Sequence, residues 1–156
     1  MKTIKILSFI LAMLMMVSLC ACGEPDEPNS IAIEDYVATF VKAEIIPDND
    51  GNDAIAITFD YQNNSDEAKS FEWTGYHEIT QAGAELEYAP IFVSEDSYDF
   101  IDDGASEDVE PGASKEVTIT YTLNDTTTPV DIKSTGLITA DTDEMTIDLT
   151  TLSVVQ

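Results

Sequence analysis

The sequence predicts an all-β protein: an immunoglobulin-like (Ig-like) antiparallel β-sandwich of about seven to eight strands, preceded by a lipoprotein signal peptide and a short acidic linker. Two patterns predict the sandwich. Apolar and polar residues alternate over several short segments, and turns rich in Gly, Pro, Asn and Asp separate these segments at intervals of roughly ten to fifteen residues. In addition, no segment after the leader repeats its apolar residues with the period of a long helix.

The N-terminal segment has the organisation of an export signal. Lys2 and Lys5 precede an apolar run of about a dozen residues, 6–17, which is too short to cross roughly 30 Å of hydrocarbon as a permanent helix. The run leads into Leu19-Cys20-Ala21-Cys22, which resembles the lipobox of bacterial lipoproteins. The resemblance implies cleavage before Cys22, acylation of its thiol and a lipid-anchored, extracytoplasmic protein. Cys20 fits the pattern less well.

Three segments are predicted on this basis: a signal peptide at 1–21, a lipidated N-terminus with a flexible acidic linker at 22–35, and the β-sandwich at 36–156. Residues 23–29 contain two prolines and three acids but no apolar side chain, so they cannot pack. Since one cysteine leaves with the signal peptide and the other is acylated, no disulfide is expected. The domain therefore depends on core packing alone.

The first half of the domain contains three predicted strands. Residues 36–46 are largely apolar and β-branched; a helix has a similar spacing, but Pro47 and the turn at 48–53 favour a strand. Residues 54–62 alternate clearly and place four large side chains on one face: Ile55, Ile57, Phe59 and Tyr61. Residues 71–81 alternate again, and one face, expected in the core, carries Phe71, Trp73, Gly75, His77 and Ile79.

The second half contains shorter strands. A turn at Ala82-Gly83 leads into a strand at 85–88, which 91–93 extends past Pro90, and the acidic stretch 94–110 is irregular. After a turn at Pro111-Gly112, the remaining segments predicted as strands are 115–123, 130–133, 137–139 and 145–149.

The charge balance is extreme and excludes several classes of partner. The chain has six lysines, no arginine and 31 acidic residues, so the part after Cys22, with four of the lysines, carries a net charge of about −27. Such a surface repels nucleic acid and anionic lipid, and without arginine it lacks the planar fork that binds phosphate. A nucleic-acid partner is therefore not expected.

A calcium site is the most specific chemical hypothesis. Asp48, Asp50 and Asp53 surround Gly51 and place several carboxylate oxygens, which calcium prefers, in one tight loop. The EF-hand pattern is incomplete, and the alternative is a turn in which Asp and Asn cap backbone amides. A second acidic cluster, alternatively a solvated loop, contains Asp99, Asp102, Asp103, Glu107 and Asp108. No other cofactor is expected.

No catalytic residue is predicted, and the domain is not expected to be an enzyme. His77 is the only histidine, which excludes a multi-histidine metal site, and no nucleophile-elbow, dinucleotide-binding or Walker motif occurs. A small carboxylate-dependent glycan hydrolase is a remote alternative, because a close pair of acids means little among 31. An aromatic contact surface has three candidates: Trp73, which is expected in the core, Tyr76, which is expected outside, and Tyr88.

Five motifs resemble those of Ig-like lipoprotein families of unknown function, mostly from Gram-positive bacteria. They are an Asp-x-x-Gly turn, a long strand with its loop, two further turns and a late strand: Asp48–Gly51, Ile57–Ser65, Gln81–Leu86, Glu110–Gly112 and Val117–Leu123. The group is also similar to secreted immunoprotective antigens of bacteria. The resemblance covers about residues 36–135. It implies a surface-exposed module without enzymatic activity and supplies no functional residue.

These observations together predict a membrane-anchored extracytoplasmic lipoprotein. Its Ig-like domain is expected to bind an unknown extracellular protein or glycan at the cell surface, while the lipid anchor makes the membrane its other partner. The alternative function is a calcium-stabilised structural or adhesion domain.

Overall fold

Two antiparallel four-stranded sheets form the protein, so the predicted β-sandwich is confirmed. The computed structural model describes residues 29–91 and 104–152. Its strands are β1 (Ser30–Ile33), β2 (Tyr36–Pro47), β3 (Asp53–Asn63), β4 (Gly75–Gln81), β5 (Ala84–Glu85), β6 (Ser114–Thr122), β7 (Val130–Gly136) and β8 (Thr142–Ile147). The first sheet has the order β1-β2-β3-β6 and the second the order β5-β4-β7-β8. In the described part of the chain, no helix is long and apolar enough to span a membrane.

The core lies between the sheets, and β3 supplies its centre. The four large side chains predicted to share one face of this strand are all buried in the main apolar cluster. They pack with the inward side chains of the second sheet, including Ile79, Ile132 and Met145. The opposite face of β3 is also covered, because Ala54, Ala56 and Thr58 are buried as well. The strand therefore lies in the middle of its sheet and is shielded on both faces.

Strand β1 corrects the predicted boundary between linker and domain. Residues 30–33 were expected to belong to the flexible linker, but they pair with β2 from Ser30 opposite Thr39 to Ile33 opposite Tyr36. Ile31 and Ile33 are buried in the main core. The folded part therefore begins before residue 36. Two apolar residues in a four-residue strand are too few to show an alternating pattern in the sequence.

The segment before β4 corrects a second expectation. Phe71–Trp73 forms a turn of 3-10 helix rather than the start of a strand, and β4 begins only at Gly75. The Thr74 hydroxyl donates a hydrogen bond of 2.7 Å to the Phe71 carbonyl and holds this turn. Phe71 consequently points into the core, whereas Trp73 is 67% exposed instead of buried. Because the turn breaks the period of two, alternation from Phe71 onward does not predict the faces correctly.

Two other predicted strands also differ from the structure. The predicted strand 85–88 follows β4 only briefly: β5 is Ala84–Glu85, and the Leu86 N–H donates to the Ile79 carbonyl at 2.8 Å. The chain then crosses to the first sheet, where Tyr88 lies opposite Tyr121 of β6. Residues 137–139 form a bend after β7 rather than a strand. Of the predicted extension 91–93, residue 91 is not in a strand and the rest lies outside the described residues.

Glu34, in the turn between β1 and β2, connects the two sheets. Its φ of 53° lies in the left-handed region, which a non-glycine residue seldom occupies. Its Oε1 accepts hydrogen bonds from the backbone N–H groups of Ile138 (2.8 Å) and Thr139 (3.0 Å), beyond the end of β7. A Cβ at position 136 would lie 2.7 Å from this oxygen, so Gly136 leaves room for the Glu34 carboxylate in this position. The turn is thereby fixed to the β7–β8 hairpin.

Acidification is expected to weaken this connection. The hydrogen bonds from Thr139 and Ile138 lower the pKa of Glu34. Because the pKa of Glu34 is lower in the folded than in the unfolded state, its ionised carboxylate stabilises the fold. This stabilisation is complete above the unfolded-state pKa of roughly 4.3, and it is lost as the pH falls through the folded-state pKa. The Tm gap between wild type and Glu34→Gln should therefore be widest near neutral pH and should shrink below about pH 4. Asp35→Asn is the control, and a gap independent of pH would contradict this assignment.

Candidate functional site

The outer face of the second sheet is its solvent-exposed side, formed by alternate residues of three adjacent strands. They are Tyr76, Glu78 and Thr80 from β4, Asp131 and Lys133 from β7, and Glu144 and Thr146 from β8. The residues between them on these strands, such as Ile79, Ile132 and Met145, are buried in the core. The same alternation that builds the core therefore places a row of polar side chains outside.

All of these side chains except Tyr76 line an open groove of about 630 Å³. The register sets Glu78, Lys133 and Glu144 in one row across the strands. A second row contains Thr80, Asp131 and Thr146, in which the Thr146 hydroxyl donates to Asp131 Oδ1 at 2.6 Å. Tyr76 extends the face toward one end and is 57% exposed. The surface thus combines hydroxyls, charges of both signs and one accessible aromatic ring.

Lys133 differs from the other lysines of the described residues. Lys42 pairs with Glu44 at 2.7 Å, and Lys115 pairs with Glu107. Lys69 lies 5.6 Å from the centre of the Tyr36 ring. Lys133 makes no ion pair within the described residues, although Glu78 and Glu144 lie opposite it on the neighbouring strands. The charges of this row are therefore available to a ligand.

The loop of the calcium hypothesis connects β2 to β3, and its carboxylates do not converge. Asp48 Oδ1 accepts hydrogen bonds from the backbone N–H groups of Asp50 (2.9 Å) and Asn52 (2.7 Å), and its Oδ2 accepts one from the Asn52 side chain (3.0 Å). Partial burial raises the pKa of Asp48, but these hydrogen bonds outweigh it and lower the pKa overall. Across the described ranges, no three histidine, cysteine or acidic side chains are grouped closely enough to hold a metal ion.

The hypothesis that calcium binds this loop is tested by a thermal melt. A specific site would stabilise the fold by about 2.7 kcal/mol at a hundredfold excess of calcium over its Kd. Donors of its own loop already occupy the Asp48 carboxylate. We therefore expect the mature chain from Gly23, which lacks the predicted lipidation site Cys22, to show equal shifts in Tm with Ca²⁺ and Mg²⁺, or none. A Ca²⁺-selective rise in Tm that Asp50→Ala abolishes would contradict this expectation.

His77 has a structural environment. Its Nδ1 lies 2.8 Å from Ser134 Oγ and its Nε2 lies 3.1 Å from the Phe71 carbonyl. A carbonyl only accepts, so Nε2 carries the proton and Nδ1 accepts from the serine. Burial lowers the pKa of His77, against the smaller opposing effect of the Phe71 hydrogen bond. Ser134 is completely buried, so this Ser–His pair cannot reach a substrate.

The family model described as "Domain of unknown function (DUF5067)" matches residues 25–136, which is more than half of the chain. The chain belongs to the DUF5067 family. The match contains all strands from β1 to β7. It confirms the predicted resemblance to a family of unknown function. No curated protein matches the chain.

Two solved structures resemble the DUF5067 chain in fold. One is a candidate lipoprotein from Staphylococcus aureus subsp. aureus NCTC 8325, with a TM-score of 0.61 and 16% identity; the match covers 81% of this chain and 97% of that one. The other is a protein from Enterococcus faecalis, with a TM-score of 0.55 and 16% identity over 78% of this chain and 91% of that one. Both come from Gram-positive bacteria, and at this identity they establish the fold alone.

The motifs of the predicted resemblance have structural roles in the DUF5067 domain. Asn63 and Gln81 are buried polar residues at strand ends, and each binds the backbone of a neighbouring loop. Gln81 Nε2 donates to the carbonyls of Asp125 (3.0 Å) and Thr128 (2.8 Å), and its Oε1 accepts from the N–H of Asn124 (2.8 Å). These motifs therefore specify how the loops attach to the sandwich.

Several predicted site residues lie outside the described residues: Cys22, Asp99, Asp102 and Asp103. Glu107, of the same acidic cluster, pairs with Lys115 instead. Sequence analysis identified Tyr76 as an exposed candidate residue. It did not predict that Glu78, Lys133 and Glu144 lie in one row. The available signal was the alternation of acids and threonines along β4, β7 and β8, but the pairing of these three strands was needed to bring them together.

Proposed function

We propose that the chain is a membrane-anchored extracytoplasmic lipoprotein whose non-catalytic β-sandwich is a binding module at the cell surface. The observation that carries this proposal is the groove on the outer face of the second sheet. Lys133 makes no ion pair within the described residues, and Tyr76 adds an exposed aromatic ring one row beyond the groove. Tyrosine is enriched in protein interfaces because it offers both an apolar ring and a hydroxyl.

The first described residues lie in the sheet that does not carry the groove. The chain enters the fold at Asn29, whose carbonyl accepts a hydrogen bond of 2.7 Å from the Phe40 N–H. The linker therefore joins the first sheet through its edge strand β1, while the groove belongs to the other sheet. The lipobox-like sequence ending at Cys22 supports a lipid anchor on this linker, as does the fold shared with a candidate lipoprotein.

The geometry favours a binding module over a glycan hydrolase. Glu78 and Glu144 lie on the two strands that flank β7, so their backbones are about 10 Å apart, with Lys133 between them. A retaining hydrolase needs its two carboxyl groups about 5 Å apart, and an inverting one needs an ordered water between them. The register places Lys133 between the two acids, where such a water would be held.

The lipid anchor is tested by the mature N-terminus. Mass spectrometry of the membrane fraction should find Cys22 as an acylated first residue. Cys22→Ala should shift the protein out of the membrane fraction or leave its leader uncleaved. An intact leader on the wild-type protein, or a mature terminus other than modified Cys22, would contradict the anchor.

The binding role is tested by placing a large side chain in the groove. Fluorescently labelled mature chain from Gly23 is added to intact cells of the bacterium that encodes it. We expect saturable binding that Thr146→Arg, within the groove, reduces roughly tenfold or more. The matched control is Gln62→Arg, an exposed residue of β3 in the first sheet, which should bind like wild type. Absence of saturable binding, or equal loss in both variants, would overturn the proposal.

A further inference from the structure

We propose that the groove of the second sheet binds an extended basic peptide segment of another protein, with lysine or arginine at alternate positions. This inference rests on the proposed function and adds the chemistry of the partner. Three carboxylates, those of Glu78, Asp131 and Glu144, surround the single ammonium of Lys133 in the groove. The local charge is therefore negative, within a domain whose whole surface attracts cations.

The spacing of the acids fits an extended chain. Glu78 belongs to one cross-strand row and Asp131 to the next, two residues further along the paired strands. Two residues of a strand advance by about 6.8 Å, which is also the distance between alternate side chains of an extended peptide. A peptide that follows β7 can thus place successive basic side chains opposite successive rows. Tyr76 lies on the same face one row beyond the groove, and an exposed aromatic ring there can bind a further cation.

The observations favour a peptide over a glycan. A neutral saccharide would cover Glu78 and Glu144 without supplying the positive charge that compensates their lost hydration. Tyr76 is also the single aromatic ring among the residues that form this face, so stacked sugar rings would have little support. Anionic wall polymers would meet the repulsion of the whole acidic surface.

The experiment measures binding of a labelled synthetic peptide that alternates lysine and serine. Fluorescence anisotropy follows its titration with the mature chain from Gly23, at low and at physiological salt. We expect saturable binding that weakens with salt, and roughly tenfold weaker binding by the double variant Glu78→Gln/Glu144→Gln. Lys133→Gln should bind more tightly than wild type, because it removes the one cation of the groove. A merely structural role of Lys133 would not produce this gain.

The matched control is Glu72→Gln/Glu116→Gln, which removes the same number of charges from exposed positions outside the groove. It should retain most of the affinity. Equal losses in the two double variants, or no saturable binding by wild type, would overturn the basic-peptide proposal. If a neutral glycan binds instead, and Thr146→Arg abolishes that binding, this inference fails while the binding module stands. If the peptide binds in the groove but Thr146→Arg leaves binding to cells unchanged, the proposed function fails.

Discussion

Phe71→Ala is expected to lower the free energy of unfolding by about 3–5 kcal/mol, the usual range for removing a buried phenylalanine ring. The Phe71 ring is stacked on His77 at 4.4 Å between centroids and on Phe59 at 5.9 Å, and it meets the edge of Tyr61 at 5.9 Å. Phe59 and Tyr61 belong to the first sheet and His77 to the second. The ring therefore fills the space between the sheets.

Urea denaturation of the mature chain measures this effect, and Trp73→Ala is its matched control. Trp73 lies in the same 3-10 turn but is 67% exposed, so its removal should change the stability by less than about 0.5 kcal/mol. The sequence pattern placed both rings in the core. If Trp73→Ala destabilised the domain as much as Phe71→Ala, the assignment of the turn would be wrong.

Asn63→Ala is expected to cost about 2–4 kcal/mol, because it leaves buried backbone groups without partners. The Asn63 amide donates to the carbonyls of Glu67 and Val109, both at 2.8 Å. Its oxygen accepts from the Ser65 N–H at 2.9 Å and from the Ser65 hydroxyl at 2.7 Å. One fully buried side chain thus fixes the loop after β3 to the segment before β6.

Asn63→Asp separates hydrogen bonding from side-chain volume. This substitution keeps the shape of the side chain. It replaces the amide NH₂, which donates to the two carbonyl oxygens, with a carboxyl oxygen that faces the same two carbonyls. A carboxylate has no proton to donate, whereas a carboxyl group has one, so the destabilisation should be greater near pH 7 than near pH 4. Denaturation at both pH values, with exposed Asn64→Ala as the control, measures it. A pH-independent cost would contradict the assignment of the two hydrogen bonds that the Asn63 amide donates.

The sandwich could be predicted because its long strands have one dominant period. Residues 36–46, 54–62 and 115–123 were predicted as strands and lie within β2, β3 and β6, apart from residue 123. These strands are long enough for alternation to be clear, and Asp/Asn/Gly or Pro-Gly turns bound them. The side chains of β3 that share the core face were predicted for the same reason.

The rest required tertiary information. Strand β1 is stable only because β2 supplies its hydrogen bonds, so its four residues carry little signal of their own. The break at Phe71–Trp73 depends on a hydrogen bond from Thr74 and on the close approach of Gly75 to the Thr135 carbonyl, neither of which is a periodic feature. The groove combines residues from β4 and β7, which are separated in sequence by β5, β6 and the long acidic segment.

The acidic composition indicates which classes of partner are disfavoured, but not where on the domain a partner would bind. It predicts that nucleic acid and anionic lipid are not partners, because their charge has the same sign. It could not show which of the 31 acids act together. In the structure, Asp48 and Asp125 accept hydrogen bonds from their own loops, whereas the row of Glu78, Lys133 and Glu144 faces solvent. The candidate surface therefore contains a row of charged side chains that form no ion pair with one another in the described part of the chain.

Site-specific photo-crosslinking tests the central claim, that the outer face of the second sheet contacts a partner at the cell surface. A photoreactive phenylalanine analogue replaces Tyr76 in the full-length protein, and in a parallel strain it replaces Tyr88. The two tyrosines match in exposure, 57% and 55%, but Tyr88 lies beside β6 of the first sheet. We expect illumination of intact cells to give one discrete adduct at position 76, mapped by mass spectrometry to a lysine- or arginine-rich segment, and none at position 88. No adduct at position 76, or the same adduct at both positions, would contradict the account.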